Sequence, residues 1–277
     1  MGDEIQAALG TPLYQNGGVN MLTSWYNNPG DLSWMSGYAN GNGFSDLYGQ
    51  GKAEELVVWL AEDPSYAISP QFLTDLQTLV SIFKGHGPNY GPLYVVLFSE
   101  FETYSSDPAY LLALRTQYLN AVQVVHSTYS QAKVALGFGG YDWPPSSWSD
   151  PDLSFWQPAI AASDFVAFQD MQADTTLTTS GQNYVVPTIE NAVAQLSAYS
   201  KPIMVSHFKV WDGGDANESA AFAQAAQLLF NPQEMGTLTR QGLFAFGFMN
   251  DSYVNTQPGL GAAEAAASTY GATSSGR

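Results

Sequence analysis

Glu100 and Glu102 stand out because of what precedes them. The stretch Gly91-Pro-Leu-Tyr-Val-Val-Leu-Phe-Ser-Glu-Phe-Glu-Thr-Tyr104 is apolar and β-branched until it delivers a carboxylate. That is the pattern of a strand buried on both faces with an acid at its carboxyl end. A carboxyl group held among apolar neighbours keeps its proton more readily and so suits general acid catalysis. Read alone, a motif this short also fits a strand that merely ends in water.

Other strand-like runs end in a related vocabulary. Trp25, Tyr26 and Asn27 close the run that starts at Val19, and Tyr141, Asp142 and Trp143 follow Lys133 to Phe138. Gln169 and Asp170 close the run from Asp164, His207 closes the run from Ile203 with Trp211 beyond it, and Asn250 follows Gly242 to Phe248. Flat rings stack on the apolar faces of pyranoses, while amides and carboxylates bond sugar hydroxyls, so glycan is the leading ligand class. Any one ring taken singly reads as core or rim packing. The reading rests on several of them sharing one end of a fold.

The elements that would position these groups alternate in the manner of an α/β chain. Ser69-Pro70 marks a helix start, with serine as cap and proline in the first turn, and Phe72, Leu76, Leu79, Val80 and Phe83 then share one face of a helix over Gln71 to Lys84. Asp107-Pro108 opens another helix, with Leu111, Leu114, Tyr118, Ala121 and Val125 on its buried side. Helices are also expected from about Pro187 to Ser200 and from Glu218 to Phe230. Glu55-Leu-Val-Val-Trp-Leu60 is short enough for a strand but is flanked by helix formers, and the reading here is a helix. Asp31 to Gly51 reads as a long loop holding Trp34, Tyr38, Phe44 and Tyr48, and Asp3 to Leu9 as a short helix. From the Glu100 strand onward, strands recur every 30 to 40 residues or so, the pitch of a (β/α) unit. The expected fold class is therefore α/β, a TIM-type (β/α)8-like barrel whose first two strands are missing or irregular. In such a barrel the carboxyl ends of the strands meet at one mouth. The expected division is a barrel domain over residues 1–258 and a short helix with a linker-like tail over 259–277.

Composition narrows the partners. The 277 residues carry a net charge of −17 with only 8 lysines and arginines, so a phosphate backbone or an anionic lipid surface would be repelled. Nucleic acid and membrane are excluded on that ground, and no apolar run approaches the length of a membrane span. With 45% hydrophobic and 14% aromatic residues, the chain has the makings of a packed core. It contains no cysteine, so disulfides and thiolate chemistry are out. Met1-Gly-Asp-Glu-Ile-Gln lacks the basic and apolar regions of a signal peptide, and the expected setting is an extracellular or virion-associated domain of a larger chain. Asp212, Asp215, Asn217 and Glu218 are oxygen ligands of the kind calcium takes, but their spacing is not that of an EF-hand. Asp215 or Asn217 as a helix cap is the plainer account, as it is for Asp150-Pro-Asp152. No metal or other cofactor is expected to be required.

The stretch Gly17-Gly-Val-Asn-Met-Leu-Thr-Ser-Trp-Tyr-Asn-Asn-Pro29 resembles the third-strand segment of glycoside hydrolase family 26, mannanase-like barrels of the large retaining clan. Leu93 to Glu102, followed by the helix from Pro108, is similar to that family's fourth strand, and the resemblance carries its acid/base glutamate onto Glu100. Lys201-Pro-Ile-Met-Val-Ser-His-Phe208 resembles the seventh strand, whose closing glutamate is the nucleophile. The residue at that position here is His207. Further departures are Val96 and Ser99 where the family has arginine and histidine, Tyr26 for a third-strand histidine, and Met249 for an eighth-strand tryptophan. The resemblance spans Gly17 to Asn250 as topology and scattered motifs, and the two opening strands have no counterpart.

A retaining glycosidase needs a second carboxylate about 5 Å from the acid, and an inverting one needs a base about 6.5–9.5 Å away to activate water. With histidine at position 207, the enzymatic reading is a degenerate, glycoside-hydrolase-like site acting on a polysaccharide or cell-wall glycan. Its general acid is Glu100 and its base is Asp170, or else Glu102, with His207 tuning the acid or bonding substrate. Trp25, Tyr26, Asn27, Tyr141, Asp142, Trp143, Gln169, Trp211 and Asn250 are its substrate-binding set. The alternative is a non-catalytic glycan-binding module that reads a receptor, and a third reading is a structural spacer within a larger assembly.

Overall fold

The computed structural model describes residues 10–16, 19–40, 52–85, 92–140, 143, 152–173, 185–211, 215–249 and 252–271. The architecture is of the (β/α) barrel type. Among the described residues there are seven strands: β1 (Met21–Tyr26), β2 (Ala53–Val58), β3 (Leu93–Leu97), β4 (Lys133–Phe138), β5 (Val166–Ala173), β6 (Ile203–Trp211) and β7 (Leu243–Phe248). Their order in the sheet is their order in the sequence. The intervening helices are α1 (Pro12–Asn16), α2 (Asp31–Asn40), α3 (Pro64–Ala67), α4 (Pro70–Lys84), α5 (Pro108–Thr128), α6 (Leu153–Ala162), α7 (Val185–Ser197), α8 (Asp215–Leu229) and α9 (Pro232–Arg240). Two more close the chain, α10 (Ser252–Asn255) and α11 (Gly259–Tyr270).

The chain forms two compact units. The first is built chiefly from Asn20–Gly139 and Asp152–Ala167, the second chiefly from Phe168–Arg277. In the first unit β1 pairs with β2, β2 with β3 and β3 with β4, all parallel. Helix α4 starts where the sequence says it should: the Ser69 hydroxyl accepts the Phe72 amide at 3.3 Å, and Phe72, Leu76, Leu79, Val80 and Phe83 are all buried. Helix α5 is capped by Asp107, which accepts from Ala109, and α6 by Asp152, which accepts from Phe155 at 3.1 Å. Tyr118 of α5 meets the Ser163 hydroxyl just after α6 at 2.5 Å, both buried. In the second unit β6 and β7 pair in parallel. Their outer layer is aromatic, with Phe208 against Phe222 of α8 and Phe222 against Tyr253 of α10. Helix α11 packs on α8, where the Ser219 hydroxyl accepts the Gly259 amide at 2.9 Å.

Four expectations are corrected. Glu55 to Leu60 is not a helix; Ala53–Val58 is strand β2, with Leu56, Val57 and Val58 completely buried. A strand covered on both faces shows no alternation, so the flanking helix formers misled the reading. The first part of the supposed loop, Asp31–Asn40, is helix α2. Its opening is held by the Asp31 carboxylate, which accepts the amides of Asn27 at 2.7 Å and Asn28 at 3.2 Å. An acid in the first turn also suits the helix dipole. Strands β5 and β6 run on past Gln169 and His207, to Ala173 and Trp211, so Asp170 and His207 lie inside strands and not at their ends. Finally, β2 intervenes between β1 and the Glu100 strand, so the Gly17–Pro29 segment lies two strands ahead of Glu100, and the residues directly before it belong to β2. The expected helix at Asp3 to Leu9 lies outside the described residues.

Candidate functional site

In the first unit, Glu100 is reached by a tight and costly turn. Phe98 and Glu100 both have left-handed backbone, with φ of 55° and 57°, a region that is unfavourable for residues with a side chain. The turn is pinned on both sides: the Ser99 amide donates to the Val58 carbonyl at 2.9 Å and the Glu100 amide to the Gly137 carbonyl at 3.1 Å. Gly137 has to be glycine, because a Cβ there would lie 2.7 Å from Val96 and 2.9 Å from the Ser99 Cα. Distortion of this kind persists only where neighbours over-determine it, and such places are enriched in functional residues.

The Glu100 carboxyl is half-buried and accepts a hydrogen bond from the Trp59 indole N–H at 2.7 Å. Burial pushes its pKa above the usual carboxylate value, and the Trp59 bond, which favours the charged form, opposes that without cancelling it. Glu102 is spent differently. Both of its oxygens face the Gly139 amide, at 3.2 and 3.1 Å, tying the turn to the end of β4.

Trp25 is opposite Val57, and Trp59 is one pleat further along the same side. Tyr26 takes the other side of β1. It is fully buried, and its hydroxyl meets that of Tyr66 in α3 at 2.6 Å, which in turn donates to Asp75 of α4 at 2.7 Å. Burial pushes the Tyr26 phenol up to about 12. Tyr26 therefore secures helices behind the sheet, while Trp25 and Trp59 stand on the opposite face. The Asn27 amide belongs to the Asp31 cap already described.

The second unit gathers Gln169, Asp170, His207 and Trp143, all buried. The Ser206 hydroxyl lies 3.0 Å from His207 Nδ1, and the Gln169 amide nitrogen lies 3.5 Å from the same atom. Burial pushes the His207 pKa down to about 3, so the ring is neutral at ordinary pH. Asp170 follows Gln169 in an extended strand and so projects from the opposite side of β5 to the amide that faces His207. Trp143 packs edge-on against Phe168 at 6.1 Å, and its carbonyl accepts from Asn191 of α7 at 2.9 Å, which is a core position. Trp211 ends β6. Tyr141, Asp142 and Asn250 lie outside the described residues, as does Asp212.

Three residues escaped the sequence reading. Trp59 was assigned to a helix, although an aromatic ring just past an apolar run repeats the Trp25 pattern. Glu55 was placed in that same helix and Glu54 was not singled out, yet both are buried within β2. Thr23 donates to Glu55 at 2.7 Å. Burial pushes Glu55 up to about 8 and raises Glu54 well above the usual carboxylate value, with a contribution from Glu55.

No protein-family model matches the sequence, and no curated protein matches it. Solved structures do. A Cellulomonas fimi endo-β-1,4-mannanase double mutant superposes with a TM-score of 0.63 at 11% identity, over 92% of this chain and 65% of that one. The modular C. fimi endo-β-1,4-mannanase, of glycoside hydrolase family 26, gives 0.60 at 13% identity, over 92% and 65%. The endo-1,4-β-mannanase of Rhizomucor miehei gives 0.59 at 10% identity, over 97% and 91%. The chain thus spans just under two thirds of the length of the C. fimi enzymes, and the likeness is one of fold.

Proposed function

We propose that the chain is a glycoside-hydrolase-like barrel domain that acts on a polysaccharide or cell-surface glycan, with Glu100 as general acid. The observation that carries this reading is the Glu100 turn: a half-buried carboxyl on a strained backbone, held by an indole and shifted towards its protonated form. A general acid must hold its proton near the working pH, and burial among apolar groups is the ordinary way to arrange that. Trp25 and Trp59 offer ring faces for a sugar on the same side of the sheet. Likeness in fold to endo-β-1,4-mannanases makes β-linked mannan the first substrate to try. A retaining route is ruled out by chemistry if the nucleophile position is His207, because a neutral imidazole forms no glycosyl ester. The route is then inverting, with Asp170 as the base. The setting is extracellular or virion-associated, within a larger polypeptide.

A second reading, a glycan-binding module without turnover, is favoured by two observations. His207 is buried and neutral, and Asp170 projects away from the side of β5 that faces it. Incubation with β-mannan, xylan and bacterial cell-wall glycans, followed by assay of reducing ends, separates the two. Turnover abolished by Glu100→Gln supports the acid assignment, and turnover unchanged in that variant removes it. Loss of turnover in Asp170→Asn supports the base assignment. Retention of the same glycans without product favours the binding module.

A further inference from the structure

The turn that carries Glu100 continues into a 3-10 turn, Phe101–Thr103, and then Tyr104, which is buried. The Tyr104 hydroxyl accepts the backbone N–H of Leu60 at 2.6 Å. Leu60 follows Trp59, the residue whose indole is bonded to Glu100. On its other side the Trp59 backbone amide donates to the Tyr26 carbonyl at 3.0 Å. Trp59 is therefore clamped from both flanks, by the end of β1 on one side and by the Tyr104 hydroxyl on the other. The second clamp comes from the same loop that carries Glu100. The next turn of the Trp59 loop is fixed as well, since the Tyr110 hydroxyl donates to the Pro64 carbonyl at 2.8 Å.

We propose that Tyr104 is a positioning residue for Glu100 and acts through Trp59: by holding the Leu60 amide it fixes the loop in which the indole can reach the carboxyl. The proposal deepens the glycan-acting reading, since it concerns how that site sets the proton affinity of its acid. The bond joins a buried phenol, whose ionisation is pushed well up by burial, to a backbone amide of a different loop. A buried amide left without an acceptor is costly, so the contact selects one loop conformation. The Glu100 bond to Trp59 lowers the pKa that burial raises. Loosening the indole must then move Glu100 further up.

The test is the titration of the Glu100 carboxyl carbon by NMR in selectively labelled protein, which needs no turnover and so stands apart from the assay of glycan cleavage. Trp59→Phe is expected to raise the Glu100 midpoint by about half a pH unit or more. Tyr104→Phe is expected to move it the same way, and the double variant no further than Trp59→Phe alone. An unmoved midpoint in Tyr104→Phe overturns the proposal, and so does a double variant in which the two shifts add, since Tyr104 would then act on Glu100 independently of Trp59. If Tyr104→Phe does not fold, 3-fluorotyrosine placed at position 104 keeps the ring and weakens the acceptor, and the same two outcomes decide. If the coupling holds while no glycan is cleaved, the positioning role stands and only the enzymatic reading falls.

Discussion

The two positions that the family resemblance would make a catalytic pair, Glu100 and His207, are built on opposite principles. Strand β3 stops at Leu97, and Glu100 follows on a left-handed turn, half-buried, with an indole as partner. Strand β6 does not stop: it continues four residues past His207, which is fully enclosed and neutral. An ionisable group on a terminating turn can keep access to solvent and ligand while burial adjusts its pKa. His207, inside a strand, is held in its uncharged form because desolvation penalises the charge.

The sharpest way to break that contrast is to restore an acid at the second position. His207→Glu is expected to lower stability by about 3–4 kcal/mol at pH 7, the cost of holding a buried carboxyl protonated well above its usual pKa. Denaturant unfolding measures it, and a variant as stable as the parent would mean that the position tolerates charge. Glu100→Gln, in contrast, is expected to change stability by less than about 1 kcal/mol, as befits a half-buried site.

The pH dependence sharpens the comparison without mutation. His207 has its folded pKa below the unfolded value, so the unfolded chain binds the proton first as pH falls. Stability is therefore lost between about pH 6.5 and 3, at about 1.4 kcal/mol per pH unit from this group. Glu55 has its folded pKa raised to about 8, so the unfolded chain releases its proton first as pH rises. Its contribution is intact below about pH 4.5 and declines up to about pH 8 at a similar slope. Unfolding free energies measured across pH 4 to 9 in the parent, His207→Gln and Glu55→Gln should show each limb flatten in turn.

Gly137→Ala is a smaller test of the Glu100 turn. A Cβ forced against Val96 and the Ser99 backbone should cost about 1–3 kcal/mol and shift the Glu100 titration, while leaving the His207 limb unchanged. Ser69→Ala should cost only about 1 kcal/mol through the lost cap on α4.

Much of this architecture could be read directly. Ser69-Pro70 and Asp107-Pro108 announce helices because capping is local chemistry, and the buried face of α4 follows from its spacing. The Glu100 strand was legible because an apolar, β-branched run is a local pattern. Strand β2 was not. Its identity depends on neighbours on both edges that bury Glu54 and Glu55, a circumstance no local pattern announces. The ends of β5 and β6 were missed for a related reason: polar residues such as Gln169 and His207 look like terminators until burial and partners on adjacent strands keep the backbone extended.

What the sequence determined by itself, then, was the alternation of strands and helices and the placement of one carboxyl group after β3, because periodicity and caps act over a few residues. Tertiary structure alone decided which side of a strand Tyr26, Trp25, Gln169 and Asp170 occupy, that Trp59 is the partner of Glu100, and that His207 is sealed and uncharged. Those properties depend on what lies across the sheet, and desolvation is set by the whole surroundings of a group and not by the residues next to it in the chain.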